Sequence, residues 1–263
     1  MFIPLILFII CLLASSIGAI VGAGGGIIIK PVLDMIDILP VSTVSFCSGC
    51  TVLGMSISSL IRNRNYGVKL KLKSSTALAI GAIIGGLIGK YLFDLIRNGF
   101  PNEQVLGAIQ SSCLTILTFL VFLYICYKDK LPSYKVDNIL VSILIGISLG
   151  VISSFLGIGG GTNNVAVLFF FFSMDAKEAA KNSLYIIVFS QLSNIISSIF
   201  TNSVPSFEWM NLICMVIGGV GGALIGAYIS KRIDNKGVEK ILKVISLLIV
   251  ATAFYNVLKY TVL

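Results

Sequence analysis

Two short runs decide how this chain is read: Gly22-Ala23-Gly24-Gly25-Gly26 and, 135 positions later, Gly157-Ile158-Gly159-Gly160-Gly161. Each run follows a long apolar stretch and precedes a second apolar segment, 27–39 or 162–173, that is too short for an ordinary membrane span. Glycine is costly inside a helix. Glycine breaks at matched places in two halves of an apolar chain mark discontinuous membrane helices, the best sequence pointer to a transport site.

The composition around the breaks agrees. The chain of 263 residues is 57% hydrophobic and 11% charged, with a mean hydropathy of +1.02. A soluble domain cannot hide that much apolar surface. Uncharged stretches recur at 2–29, 43–61, 74–89, 104–127, 138–174, 182–207 and 209–230. Crossing ~30 Å of hydrocarbon takes about 20 residues. These runs therefore predict an all-α integral membrane protein with almost no aqueous domain. Met1 to Ala19 resembles a signal peptide but lacks a basic start and aligns with 137–154, so it reads as a retained span. The net charge of +8 sits in short loops. It reads as topology signalling, not as nucleic-acid binding. The six cysteines, Cys47 and Cys50 among them, lie in or beside apolar segments and read as small buried residues, not disulfides.

Laying residue n over n+135 pairs Ser48 with Ser183, Ser56 with Gln191 and Ser59 with Asn194. At an offset of 137, Gly81, Gly85, Gly89 and Tyr91 fall on Gly218, Gly222, Gly226 and Tyr228. The expected organisation is a first transmembrane repeat at 1–127, a cytoplasmic linker at 128–136 and a second repeat at 137–263. Loop charge orients them. The loop from Arg62 to Lys73 with Lys69, the linker with Lys128, Lys130 and Lys135, and the segment from Lys231 to Lys243 are predicted inside. The loop 201–208, with one Glu and no basic residue, is predicted outside. Helix 41–62 then runs outside to inside, and its partner 175–200 the reverse. The expected fold is two inverted repeats, each of four transmembrane helices plus one short glycine-broken half-helix, with both termini extracytoplasmic. The half-helix supplies a fifth crossing: three extended glycines give ~10 Å and twelve helical residues ~18 Å.

Chemistry is expected where the half-helices start, at Ile27 and Thr162. A helix N-terminus presents unpaired N–H groups and partial positive charge, which makes an anion site from backbone alone. The predicted ligands are the main chains of Gly24, Gly25, Gly26, Gly159, Gly160 and Gly161. Thr162, Asn163 and Asn164 add polar side chains where the first half has Ile27, Ile28 and Ile29. Capping is the plainer role for the asparagines. A polar stripe follows at helical spacing: Ser45, Ser48, Ser56 and Ser59 in one half; Ser183, Ser190, Gln191, Asn194 and Ser197 in the other. Of these, Ser48, Ser183, Gln191 and Asn194 are predicted to help bind the anion; burying an amide in hydrocarbon is costly without a purpose. The glycines spaced by four read as close-packing rows. Lys30, Lys90 and Lys181 are candidates for attracting an anion, but each is near enough to an interface to snorkel, the plainer role. The chain has no histidine, and no metal or cofactor site is expected.

These features resemble the TauE/SafE family of membrane permeases, the sulfite exporter family. The likeness rests on Gly157 to Gly161 with its short apolar segment, on Ala179-Ala180-Lys181-Asn182-Ser183-Leu184, and on the degenerate first copy with its glycine-rich third helix. The resemblance covers essentially the whole chain. It implies transport of small inorganic or organic sulfur oxyanions, such as sulfite or organosulfonates, across the cytoplasmic membrane. An anion channel built from the same residues is the first alternative. An intramembrane lipid-modifying enzyme, using a pair such as Ser183 and Lys181, is the second. Oligomeric state is not encoded legibly.

Overall fold

Helices form where the uncharged runs place them. A computed structural model of the protein describes residues 2–64, 68, 70–99 and 102–261; Lys69 lies outside the described residues. The elements are α1 (Phe2–Val21), α2 (Gly26–Ile36), α3 (Val41–Arg62), α4 (Leu72–Gly99), α5 (Glu103–Tyr127), α6 (Ile139–Leu156), α7 (Thr162–Phe172), α8 (Ala176–Phe200), α9 (Trp209–Ser230) and α10 (Asn235–Thr261). Among the described residues, eight helices are long and apolar enough to cross a membrane; the short pieces α2 and α7 are not among them. Local chemistry sets the ends. Asn138 caps α6 by accepting from Leu140 N–H, and Asp175 caps α8 by accepting from Glu178 N–H. Both short helices stop at a left-handed residue, Asp37 in one and Ser173 in the other.

Apolar side chains cover the outside, as a lipid-facing surface requires: Ile61, Ile116, Leu140, Leu144 and Phe200 are all exposed. Polar ones turn inward. The backbone-to-backbone contacts explain the glycine rows. A Cβ on Gly81, Gly85 or Gly89 of α4 would come within 2.1, 2.0 or 2.5 Å of the main-chain oxygens of Ile143, Ile147 and Val151 on α6. On Gly218, Gly222 or Gly226 of α9 it would come within 2.5, 2.2 or 2.2 Å of those of Phe8, Leu12 and Ser16 on α1. Only glycine permits so close an approach. Registers rise together, so α4 runs parallel to α6, and α9 to α1. Each half thus lends its first long helix to the other half.

The remaining packing is paired in the same way: α5 lies on α10, α3 on α8, α3 on α9, and α4 on α8. The linker opens with a 3-10 turn at Lys128–Lys130 and continues extended. Tyr134 and Val136 donate their N–H groups to Phe170 and Phe171 at the end of α7, at 2.7 and 2.9 Å. Lys128 pairs with Glu239 at the start of α10. At the other end of α10, Asn256 Nδ2 donates to the Pro31 oxygen at 2.8 Å and Lys259 Nζ to the Asp34 oxygen at 3.0 Å, both on α2. The equivalent ends of α2 and α7 therefore lie at opposite ends of the bundle.

Two sequence expectations are corrected. Lys30 and Lys90 do not snorkel: they are 2% and 7% exposed, and their Nζ atoms lie 3.0 Å from Asp34 Oδ2 and 2.8 Å from Asp94 Oδ1. A buried cation one turn from a carboxylate pairs within the fold when both face the core. The cysteines are all free, but they are not all buried: Cys11 and Cys47 are, whereas Cys126 is exposed, since a thiol is apolar enough to face lipid.

Candidate functional site: two facing glycine breaks

The glycine runs meet each other at the centre of the bundle. The α1 helix ends at Val21, and the chain turns through Gly22 and Gly24 at φ of 72° and 69°. The second run turns through Gly157 and Gly159 at 65° and 73°, then stays left of the usual region at Gly160 (114°) and Gly161 (132°). Glycine alone adopts this sequence of angles without strain. As a result α2 starts at Gly26, while α7 starts one aligned position later, at Thr162. The runs touch. A Cβ on Gly26 would lie 2.2 Å from the Ile158 oxygen, and one on Gly24 3.6 Å from the Gly159 oxygen.

Helices α3 and α8 wall the junction with aligned residues. Val52 and Ile187, 135 positions apart, press on the glycines from the two sides. Ser48 Oγ donates to the Gly157 oxygen at 3.0 Å or to the Ser45 oxygen at 3.1 Å. Gly25 N–H points at Met55 Sδ, 3.1 Å away, a weak acceptor for an amide. The Gln191 carboxamide lies between the second run and α3: its Cδ is 3.2 Å from where a Gly159 Cβ would stand, and its Oε1 2.8 Å from that of Gly49.

Several polar atoms of the helical stripe and of the start of α7 are buried without a partner among the described residues. They are Thr162 Oγ1, both amide atoms of Asn163, Ser183 Oγ, Ser190 Oγ, Gln191 Nε2 and Asn194 Oδ1 from the second half, with Ser56 Oγ from the first. Buried polar groups are nearly always paired in folded proteins, and an orphan costs about 1–3 kcal/mol. The orphans of Thr162 and Asn163 on the first turn of α7, with Gln191 against Gly159, put unpaired polar atoms beside the second glycine run. Capping does not explain the asparagines: α7 is capped by Gly161, and no side chain accepts from its first turn.

The structure gathers Gly24, Gly25, Gly26, Gly159, Gly160, Gly161, Thr162, Asn164 and Gln191 at the junction. Asn163 and Ser183 are buried nearby. Asn194 stands apart. It lines a small cavity of about 30 Å³ with Ser42, Ser45, Ser154, Lys90 and Arg97. Lys90 is held there by Asp94 at 2.8 Å. The apolar walls Val52, Met55 and Ile187 were not singled out from sequence, although the 135-residue offset does pair Val52 with Ile187. Among the described residues no group of His, Cys, Asp and Glu is arranged to hold a metal ion.

Eight membrane-length helices, two short helices starting at a shared glycine junction, and a buried polar centre define a multi-pass integral membrane protein of the permease type. The chain belongs to the family described as sulfite exporter TauE/SafE, whose sequence model matches residues 7–254. It is 24% identical to "Probable membrane transporter protein YunE" of Bacillus subtilis, over 95% of this chain and 97% of that protein. It is 23% identical to "Probable membrane transporter protein YjnA" of the same organism, over 89% of this chain and 94% of that one. A third relative, "Probable membrane transporter protein MJ0441" of Methanocaldococcus jannaschii, is 23% identical over 88% of each chain. No solved structure matches. The protein is a membrane transporter of this family.

Proposed function

We propose that this transporter is a secondary permease or facilitator that carries small sulfur-containing oxyanions, such as sulfite or an organosulfonate, across the cytoplasmic membrane. The observation that carries this reading is the glycine junction. Two helices start at it, offering N–H groups and partial positive charge. The orphaned side chains of Thr162, Asn163, Ser183 and Gln191 stand beside it. The anion sits against the main chain of 24–26 and 159–161, and the second half supplies most of the polar side chains.

The chain is organised as two inverted repeats, 1–127 and 137–263, joined by a cytoplasmic linker at 128–136, with both termini extracytoplasmic. Two findings support this. Aligned helix pairs pack alike in the two halves, and the matched ends of α2 and α7 lie at opposite ends of the bundle. Loop charge puts the linker end inside. Export of an anion from a negative-inside cell is favoured by roughly 2.3 kcal/mol per charge per 100 mV. Such export needs no coupling ion.

The test is flux in proteoliposomes with purified protein, with sulfite, sulfate, thiosulfate, sulfoacetate and taurine offered in turn. Saturable flux of at least one sulfur oxyanion, lost in Gly160→Leu, is expected. Flux that rises linearly with concentration would make the protein a channel. No flux of any of the five from correctly folded protein would overturn the substrate class.

A further inference from the structure

A second cavity, of about 220 Å³, lies at the linker end of the bundle. Lys177, Lys181 and Lys231 line it, with Asn63 and Ser230, and no acidic residue is among the described residues of its wall. Two carboxylates at the start of α8 are engaged elsewhere: Glu178 pairs with Lys71 at 3.4 Å, and Asp175 caps α8; Lys231 has a partner of its own, so the unopposed charge is that of Lys177 and Lys181. Lys181 Nζ is held by the main-chain oxygen of Val68 at 2.9 Å, with no carboxylate opposing it.

The placement of this cavity carries the inference. Lys177, Ala180, Lys181 and Leu184 of α8 line it; the residues 135 positions earlier are Ser42, Ser45, Phe46 and Gly49 of α3, and all four line the small cavity described above. The same shift relates Ala19 to Ser154 and Asn63 to Ser198, again across the two cavities. The two spaces are one structural position occurring twice, and the glycine junction lies between them. They differ in volume, about 220 against about 30 Å³. They differ also in how charge is placed: the lysines of α8 stand where α3 has Ser42 and Phe46, while the smaller cavity keeps Arg97 and an ion-paired Lys90.

We infer that the two cavities are the opposite mouths of one anion route, and that the cavity of Lys177, Lys181 and Lys231 is its cytoplasmic loading vestibule. The inference rests on the proposed anion transport and orientation. A cleft with low-dielectric walls and charges of one sign focuses the field and concentrates counter-ions. An anion gathered there passes the glycine junction and leaves through the smaller mouth, where Asp94 neutralises Lys90 and Arg97 is the remaining cation.

A test that needs no knowledge of the substrate uses single reporter thiols in a cysteine-free background. Asn63→Cys reports on the vestibule, Ser203→Cys on the opposite mouth; both side chains are half-buried. Each is reacted with membrane-impermeant anionic (sulfonatoethyl) and cationic (trimethylammonioethyl) methanethiosulfonates, with rates normalised to a free thiol. Asn63→Cys is expected to react in inverted vesicles and not in intact cells, preferring the anionic reagent at least ~10-fold. Adding Lys177→Gln is expected to lower that preference several-fold, as is high salt. Ser203→Cys is expected to react in intact cells, with a weaker preference. Equal rates for the two reagents at Asn63→Cys, no effect of Lys177→Gln, or reaction of both thiols from one face would overturn the proposal. A proteoliposome arm separates this from the substrate question. If sulfite is carried, Lys177→Gln raises half-saturation from the vestibule side and spares maximal flux. If no sulfur oxyanion is carried but the reagent preference holds, the vestibule stands and the substrate class falls.

Discussion

The two glycine breaks hold matched positions and do different work. The first leads into Gly26-Ile27-Ile28-Ile29-Lys30, and the missing side chain of Gly26 is filled by the Ile158 oxygen. Its short helix is anchored by an internal ion pair, Lys30 with Asp34, and by two hydrogen bonds from α10. The second leads into Thr162-Asn163-Asn164, and orphaned polar atoms gather behind it. Where α2 has Lys30 and Asp34, the aligned positions of α7 are the buried Val165 and Phe169. A duplicated element has been divided into a firmly held half and a polar half.

That division breaks most sharply at the glycines. Gly160→Leu should abolish flux per molecule of folded protein, because its Cβ would stand 2.5 Å from Ile187 Cγ1 on backbone at φ 114°. Gly26→Leu should instead lower the amount of folded protein, since its Cβ meets main chain at 2.2 Å. Flux normalised to monodisperse protein, with melting temperature in detergent, separates them. If both variants fold and transport normally, the junction is not the site.

Next in size is the anchor. Lys30→Met strands a buried carboxylate and should destabilise by about 3–5 kcal/mol. The double change Lys30→Val with Asp34→Phe, which copies α7, should recover much of that loss. Thermal melting of the two variants checks it. A double variant no better than the single one would show that α2 needs the charge itself.

The polar half comes third. Gln191→Ala should weaken anion binding by roughly 10- to 150-fold, the loss of a hydrogen bond worth about 1.5–3 kcal/mol to a charged ligand. It should leave unliganded melting nearly unchanged, because Gln191 Nε2 has no protein partner to lose. Ser48→Ala should do the opposite, lowering melting temperature while sparing affinity, because its hydroxyl bonds main-chain carbonyls. Titration calorimetry and melting on the same two proteins decide it. The smallest effect, under about threefold in affinity, is expected for Ser56→Ala, the aligned first-half residue, which is shorter than Gln191. A loss at Ser56 equal to that at Gln191 would restore symmetry to the site.

Much of this architecture was legible in the chain. The short segments expected at 27–39 and 162–173 became Gly26–Ile36 and Thr162–Phe172, because glycine and apolar periodicity are local signals. The glycines spaced by four were read correctly as packing rows, although their partners on α1 and α6 were out of reach. Pairing is where the reading stopped. Periodicity assigns Ser48 to an inward face but not to the Gly157 oxygen, 109 residues away. Lys30 looked able to reach an interface until the fold turned it towards Asp34. Lys177 drew no attention because a lysine near a helix start is ordinary; only the cavity gives it a setting.

The contact of α1 with α9 has a consequence for biosynthesis. The main-chain oxygens of Phe8, Leu12 and Ser16 face glycines that the ribosome delivers about two hundred residues later. Throughout that interval α1 sits in the bilayer beside provisional neighbours, whether lipid, insertase or other helices. A nascent chain arrested before α9 therefore carries an unmatched strip along α1, where Cys11, Ser15 and Ala19 meet no glycine. The packing of α1 is therefore completed only after α9 has been made, long after α1 itself.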